Sequence, residues 1–331
     1  MWLMSDPLDD LTPVRLPARS IAPPDTISPE ARAALSAGAA APAVKRPAPG
    51  DIEGWRRAVA ASEAMWATVA KELLEGCSVH VETRSIAGVT CYVSTPPGLD
   101  AASGRRVYLY IHGGALVFGG GEYARAFGAV TAERLGLTTV SVDYRMPPDH
   151  PYPAAPEDCL AVYLELIKSY DPRQVVIGGS SAGGNLAAAT TLMIRDRGLP
   201  LPGAVLLMTP EVDLTDAGDT FQTNVLLDVT LKGGLPECNA LYAGGHDLSD
   251  PYISPLFADF TPGFPPTFIQ SGTRDLFLSN SVLMHRKLRR AGVDAELHVW
   301  EAMPHGGFGF GDAPENLEIT EEIRRFVARR L

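Results

Sequence analysis

Two adjacent serines stand in a glycine-rich stretch, Gly178-Gly179-Ser180-Ser181-Ala182-Gly183-Gly184, between the apolar run "QVVI" and the alanine-rich "NLAAA". A serine becomes a candidate nucleophile when a sharp strand-to-helix turn presents its hydroxyl. Such a turn requires glycine two residues before and two after, because a Cβ there would collide with the strand or the helix. Ser180 has Gly178 before it but Ala182 after it, whereas Ser181 is flanked by Gly179 and Gly183. Only Ser181 fits. A phosphate-cradling loop would need Gly-Lys-Ser/Thr, and a dinucleotide fingerprint would need G-x-G-x-x-G; neither occurs here. A purely structural turn is the alternative for this stretch.

A nucleophilic serine needs an oxyanion site, a base and an acid that orients the base. The stretch "HGGALVFGGG", His112 to Gly121, follows the apolar run "RVYLYI". Successive glycines leave backbone N–H groups free to point into a site. Gly113 and Gly114 are therefore candidate donors, with Ala182 as the third, and His112 reads as a residue that fixes the loop. Of the seven histidines, His80 and His298 fall in predicted strands and His285 in a predicted helix, while His150 lies in the proline-rich "PPDHPYP" and His246 in a long interval between strands. His305, in "AMPHGGFGF", follows the last predicted strand on a flexible loop and is the candidate base. Asp275, in "FIQSGTRDLFLSNS", directly follows a predicted strand and is the candidate acid; Asp247, Asp250 and Asp294 are weaker rivals because none directly follows a core strand.

The elements that would position these groups are legible as changes of period. Ser28 is a helix N-cap signal with Pro29 at the first helical position and Gly38 as the stop. Trp55, Val59, Trp66, Val69 and Leu73 recur near helical spacing up to Gly76. From Ser78 the pattern alternates every second residue in "SVHVETRS" and "GVTCYVST", as in a hairpin. Then come the apolar runs "RVYLYIH", "TTVSVDY", "QVVIGG", "GAVLLMT", "PPTFIQSG" and "AELHVWEA", separated by predicted helices at about 123–135, 153–169, 181–196, 279–291 and 315–330. Strands buried on both faces and alternating with helices predict a mostly parallel sheet covered on both sides, with antiparallel strands at the hairpin edge. The long interval from Glu211 to about Pro255 interrupts the alternation and is expected to hold a helix at 236–243. It reads as a functional cover above the C-terminal edge of the sheet, in contact with the Trp55/Trp66 helix.

The 331 residues carry a net charge of −11, with 46% hydrophobic and 20% charged residues, as in a globular protein with a sizeable core. An acidic surface is a poor match for phosphates, so no nucleic-acid partner is expected. The basic "RKLRRAG" at Arg286–Gly292, in a helix that also carries Val282, Leu283 and Leu288, reads as a solvated face. Cys77, Cys91, Cys159 and Cys238 form no metal or disulfide pattern and read as free thiols. "MWLMSDPLDD" meets Asp6 before a signal-length apolar run develops, and no stretch of about eighteen apolar residues occurs. A cytoplasmic location without membrane insertion is expected.

Taken in order, "YIHGGALVFGG", "VDYRMPPDHPYPAAPEDC", "GGSSAGGNLAAA", "SGTRDLFLSNS" and "MPHGGF" resemble the hormone-sensitive-lipase family of α/β-hydrolases, also called bacterial esterase family IV, over roughly residues 50–325. "SVLMHRKLRRAGVDAELHVWEAMPH" is most similar to its branch of lactone hydrolases and acetyl-hydrolase-like esterases. The chain order Ser181, Asp275, His305 is that of α/β-hydrolases. The resemblance implies an α/β-hydrolase fold with an eight-stranded, mostly parallel sheet. It implies Ser181 as nucleophile, His305 as base, Asp275 as acid and the N–H groups of Gly113, Gly114 and Ala182 as oxyanion donors. It divides the chain into an N-terminal helical cap segment (1–77), a catalytic domain (78–210 and 256–331) and an inserted cap segment (211–255). Three departures stand out: Ser180 where many members carry Asp, Ala115 where many carry a third glycine, and no Asp-Pro-Leu in the acid loop.

The expected reaction is hydrolysis of short to medium acyl esters through an acyl-enzyme, with no metal or organic cofactor. The apolar content of the interval, with Phe118, Leu226, Leu227 and Tyr242 as candidate substrate contacts, points to an uncharged ester. Lactone hydrolysis on the same triad is the alternative, amide hydrolysis is a third reading, and a non-catalytic small-molecule binding module is the reading from another class. A second copy of the chain, as a homodimer, is the one macromolecular partner left open.

Overall fold

The computed structural model describes residues 13–99, 103–309, 311 and 313–331; the reading of "MWLMSDPLDD" and the N-terminal end of the 1–77 segment lie outside them. In chain order the elements are α1 (Pro29–Ala40), α2 (Ile52–Glu75), β1 (His80–Ile86), β2 (Val89–Thr95), β3 (Val107–Ile111), α3 (Glu122–Leu135), β4 (Thr138–Val142), α4 (Ala154–Leu166), β5 (Val175–Ser180), α5 (Ala182–Asp196), β6 (Ala204–Met208), α6 (Thr220–Thr223), α7 (Pro236–Ala243), β7 (Thr267–Gly272), α8 (Leu278–Arg290), β8 (Ala295–Trp300) and α9 (Pro314–Arg330). The strands form one sheet in the order β1-β2-β4-β3-β5-β6-β7-β8.

β2 runs against both neighbours, and the remaining pairs are parallel. β1 therefore points the same way as the rest of the sheet. The expected antiparallel edge reduces to the single reversed strand β2, because the hairpin fixes β2 against β1 and β2 then pairs antiparallel with β4 as well. Along β3 the alternation sends Val107, Leu109 and Ile111 into the layer with α4, α5 and α8. Tyr108 and Tyr110 enter the layer with α9, where Phe127 of α3 also packs. Burial on both faces is why these strands read as continuous apolar runs rather than as alternating ones.

At the two N-terminal helices the start signals act and one stop signal does not. Ser28 Oγ accepts the N–H of Ala31 at 3.1 Å, and Asp51 Oδ1 accepts that of Gly54 at 2.8 Å, so both N-terminal helices are capped by side chains. Gly38, however, lies inside α1 rather than ending it. A Cβ there would stand 2.7 Å from Val229 Cγ2, so the residue is small because the helix presses on the 211–255 interval. In α8, Met284 and Leu288 are buried whereas Val282 and Leu283 are exposed, so the inward face lies slightly away from the expected one.

The aromatic face of α2 is divided between two neighbours. Trp55 is fully buried with Val117, Phe221, Leu235 and Leu276, and its Nε1 donates to the Ala48 carbonyl at 3.0 Å. Trp66 packs edge-on against Tyr123 of α3 at 4.7 Å between ring centroids. The helix thus bridges the sheet layer and the interval between β6 and β7. Among the described residues no helix is long and apolar enough to cross a membrane. Truncation of Trp55 to alanine should cost about 3–5 kcal/mol of unfolding free energy, measured by urea denaturation. A loss below about 1 kcal/mol would show that this bridge is not structural.

Candidate active site

The turn between β5 and α5 is set by backbone crowding. A Cβ at Gly179 would lie 2.1 Å from the carbonyl oxygen of Ile111, and one at Gly183 would lie 1.9 Å from the same atom. The obstacle is thus the end of neighbouring β3 as much as the turn's own strand and helix. Ser181 is held at φ 59° and ψ −120°, a conformation that costs a non-glycine residue of order 1–3 kcal/mol and persists only where surroundings impose it. Its N–H donates to the Met208 carbonyl at 2.9 Å, which extends the β5–β6 ladder into the turn. Ser180 is the last residue of β5, and its hydroxyl lies 3.4 Å from Thr209 Oγ1. The two serines are separated by this geometry: one is used at the strand end, the other is lifted onto the turn.

The loop after β3 lies against this turn. A Cβ at Gly113 would stand 2.8 Å from the Ser180 carbonyl oxygen and 3.5 Å from Ser181 Cβ. Gly114, at φ 129°, accepts the N–H groups of Val117 and Phe118 on its carbonyl. The N–H groups of Gly113 and Gly114 are committed to no backbone acceptor among the described residues, and Ala182 is the first residue of α5, whose N–H has no intrahelical partner. Ala115 and Leu116 both have positive φ, at 55° and 61°. His112 is fully buried, stacks on Tyr144 at 4.1 Å and donates Nδ1–H to the Gly113 carbonyl at 2.8 Å. Burial pushes its imidazole down to about 4, so it is a neutral loop support and not a competing base. The "VDYR" motif supports the same loop: Asp143 Oδ1 accepts the Gly121 N–H at 3.1 Å, and Tyr144 donates to the His112 carbonyl at 3.0 Å.

Asp275 and His305, thirty residues apart, meet at the C-terminal ends of β7 and β8. His305 Nδ1 lies 3.0 Å from Asp275 Oδ1. A carboxylate at Nδ1 requires the proton there and leaves Nε2 as the basic nitrogen. Asp275 is completely buried, and its carboxylate also accepts from Ser271 Oγ at 2.7 Å and the Phe277 N–H at 3.0 Å. The Phe277 ring stands edge-on to the imidazole at 4.9 Å. Ser181 and His305 are 8% and 6% exposed, which leaves both reachable from one side only. No hydrogen bond joins the Ser181 hydroxyl to His305.

Residues of the 211–255 interval that sequence reasoning missed hold the acid loop in place. Thr220 Oγ1 donates to the Leu276 carbonyl at 2.7 Å, and Asn224 Nδ2 donates to the Asp275 carbonyl at 2.9 Å. Asp228, fully buried, accepts the N–H of Leu276 at 2.7 Å and that of His305 at 3.3 Å. Asp228, Asp275 and His305 are close enough to ligate a metal ion. The two carboxylates instead accept from N–H and O–H donors, which a cation would have to displace. Glu211 lies beside Ser181: its N–H donates to the Ser181 carbonyl at 3.4 Å, and Oε1 accepts from Asn239 Nδ2 of α7 at 2.9 Å. Its Oε2 has no partner among the described residues, and burial pushes the carboxyl up to about 8.

The expected substrate contacts fall in different places. Phe118 is half-buried in the loop after β3, 6.2 Å from Trp55 between ring centroids. Leu227 is partly buried. Leu226 is 91% exposed, and Tyr242 is fully buried in the main core. The positions of Leu226 and Tyr242 lend no support to a substrate contact: Leu226 lies in irregular chain that carries no period from which to read its direction, and Tyr242 is on the face of α7 that packs into the main core.

A family profile described as the alpha/beta hydrolase fold matches residues 108–309. An acetyl-hydrolase of Streptomyces hygroscopicus is 32% identical over 202 residues, spanning 60% of this chain and 67% of that protein. An esterase of Acinetobacter venetianus is 33% identical over 236 residues, spanning 68% of this chain and 76% of that protein. The crystal structure of an esterase matches with a TM-score of 0.89 at 35% identity, covering 96% of this chain and 99% of that one. That of an esterase from the bacterial hormone-sensitive lipase family matches with a TM-score of 0.76 at 30% identity, covering 92% and 98%.

The raised Glu211 carboxyl makes stability depend on pH. A group whose folded-state value lies above its unfolded one contributes stability at low pH and loses it as pH rises through the folded value. Between about 4.5 and about 8 the wild type should therefore lose stability relative to Glu211→Gln. The gap at alkaline pH should be on the order of 5 kcal/mol and should vanish in acid, measured by denaturant unfolding. A gap that does not vary with pH would refute a neutral buried Glu211.

Proposed function

The chain belongs to the α/β-hydrolases, in the hormone-sensitive-lipase-like esterase family, and from that membership we propose that it is a serine carboxylesterase in which Ser181 is the nucleophile, His305 the general base and Asp275 the orienting acid. The observation that carries the reading is the 3.0 Å contact between His305 Nδ1 and Asp275 Oδ1, at the same sheet edge as a serine held at positive φ. His305 Nε2 takes the Ser181 proton as Oγ attacks the ester carbonyl, and Asp275 stabilises the resulting imidazolium. The tetrahedral oxyanion is received by the N–H groups of Gly113, Gly114 and Ala182, each worth ~3 kcal/mol of barrier. The N-terminal dipole of α5 favours the same charge. His305 returns the proton to the leaving alcohol, and water activated by the same nitrogen cleaves the acyl-enzyme.

Short to medium, uncharged acyl esters are the proposed substrates. The apolar cluster of Trp55, Val117, Phe118 and Phe221, packed at the loop after β3, supports a small uncharged acyl group. The residues of α2 and of 211–255 form the proposed cap, an assignment supported by the Trp55 cluster that joins them. Four unpaired cysteines support a reducing, cytoplasmic setting.

Nitrophenyl esters of increasing acyl length, with lactones alongside, test this reading. Acetate and butyrate should be cleaved faster than long-chain esters, and Ser181→Ala should lower kcat by ~10⁴-fold or more. Equal rates in wild type and Ser181→Ala would favour a binding protein, and faster lactone opening would reassign the substrate.

A further inference from the structure

We propose, on the triad assignment above, that Asp228 is a positioning residue: a carboxylate carried by the inserted segment that ties the acid loop to the base loop and sets a second negative charge beside His305. Both of its oxygens are occupied. Oδ1 accepts the N–H groups of Thr230 at 2.9 Å and Leu231 at 3.1 Å, which closes a turn within the segment. Oδ2 accepts the N–H of Leu276 at 2.7 Å and that of His305 at 3.3 Å. One side chain therefore fixes three pieces of chain, two of which carry catalytic residues.

The charge has a role beyond the hydrogen bonds. Ligand atoms of Asp228, Asp275 and His305 lie within 4.8 Å of one another, so an imidazolium formed at His305 would sit near two carboxylates. The titratable groups that act on Asp228 are these same two. Burial raises its carboxyl, the charge of His305 and the donated N–H groups lower it, and Asp275 raises it. An opposite charge at this range favours the cationic imidazole. Asp275 acts at Nδ1 directly; Asp228 acts through space and through the backbone of residue 305.

Asp228→Asn retains the size but not the acceptors. Each carboxylate oxygen receives two N–H groups, so an amide must turn its own NH₂ against a pair of donors in either orientation. The experiment measures kcat, KM and the acid limb of kcat/KM for nitrophenyl butyrate in wild type, Asp228→Asn and Asp228→Ser. Ser181→Ala is the reference for the triad, and circular dichroism with cooperative melting is the check on folding. Folded Asp228 variants should lose about tenfold to a hundredfold in kcat with little change in KM, as expected of misplaced reacting groups. Their acid limb should move about one unit to lower pH, because a negative charge beside the imidazole has gone.

Wild-type kcat, or a loss of kcat with an unmoved acid limb, would overturn the proposal and leave Asp228 a packing group. Failure of both variants to fold would make it a folding residue and overturn the proposal equally. Activity surviving in Ser181→Ala would remove the triad reading and this inference with it. Inactivity there beside unchanged Asp228 variants would remove the inference alone.

Discussion

The carbonyl oxygen of Ile111 fills the space that a side chain at residue 179 or 183 would need, and the rest of the site depends on that close approach. Because β5 and the start of α5 press against the end of β3, Ser181 has no room for an ordinary conformation and is lifted at positive φ above the sheet edge. The same approach brings the loop after β3 against the turn, where a Cβ at Gly113 would stand 3.5 Å from Ser181 Cβ. A single Cβ at either glycine would push the turn away from β3 and separate hydroxyl from donors. Backbone strain is stored here because the surrounding sheet over-determines it.

The acid and the base arrive by a different route. They sit beyond β7 and β8, and their loops are tied to each other and to the segment between β6 and β7. The N–H of Arg274 donates to the Met303 carbonyl at 3.1 Å, while Thr220, Asn224 and Asp228 bind the acid loop from above. Each neutral buried bond contributes roughly 1 kcal/mol, and those to a carboxylate contribute more. The segment between β6 and β7 thereby holds Asp275 and His305 in place. The buried, partly unpaired Glu211 beside Ser181 adds a polar contact to α7 at the cost of alkaline stability.

Features governed by near neighbours along the chain are legible in the amino-acid sequence. The eight strands, the long helices, the Ser28 cap and the helix at 236–243 follow from local period and end signals. The sharp turn at Ser181 rather than Ser180 follows from glycine spacing, and the meeting of Asp275 with His305 from the position of each after a strand. What is not legible depends on contacts distant in sequence. Gly38 looks like a helix stop until Val229 is found against it, and the direction of β1 relative to the sheet is set by the pairing of β2 with β4. In the irregular chain between α6 and α7 no period separates inward from outward side chains, so Leu226 reads as a substrate contact while Asp228 attracts no notice; Tyr242 lies on α7, and only the packing of that helix shows that its ring enters the main core. The signal for Asp228 is a lone carboxylate within the apolar "VLLDVTL", two residues before the Thr230 whose N–H it accepts.

If the proposed chemistry holds, Ser181 and no other hydroxyl carries the acyl group. Treatment of the folded protein with a fluorophosphonate ester, followed by digestion and mass mapping, tests this directly. One adduct per chain is predicted, on the peptide holding Ser181, with activity lost in proportion to labelling and no adduct in His305→Ala. Labelling of Ser180 with Ser181 unmodified, or full activity in a protein fully labelled at Ser181, would contradict it.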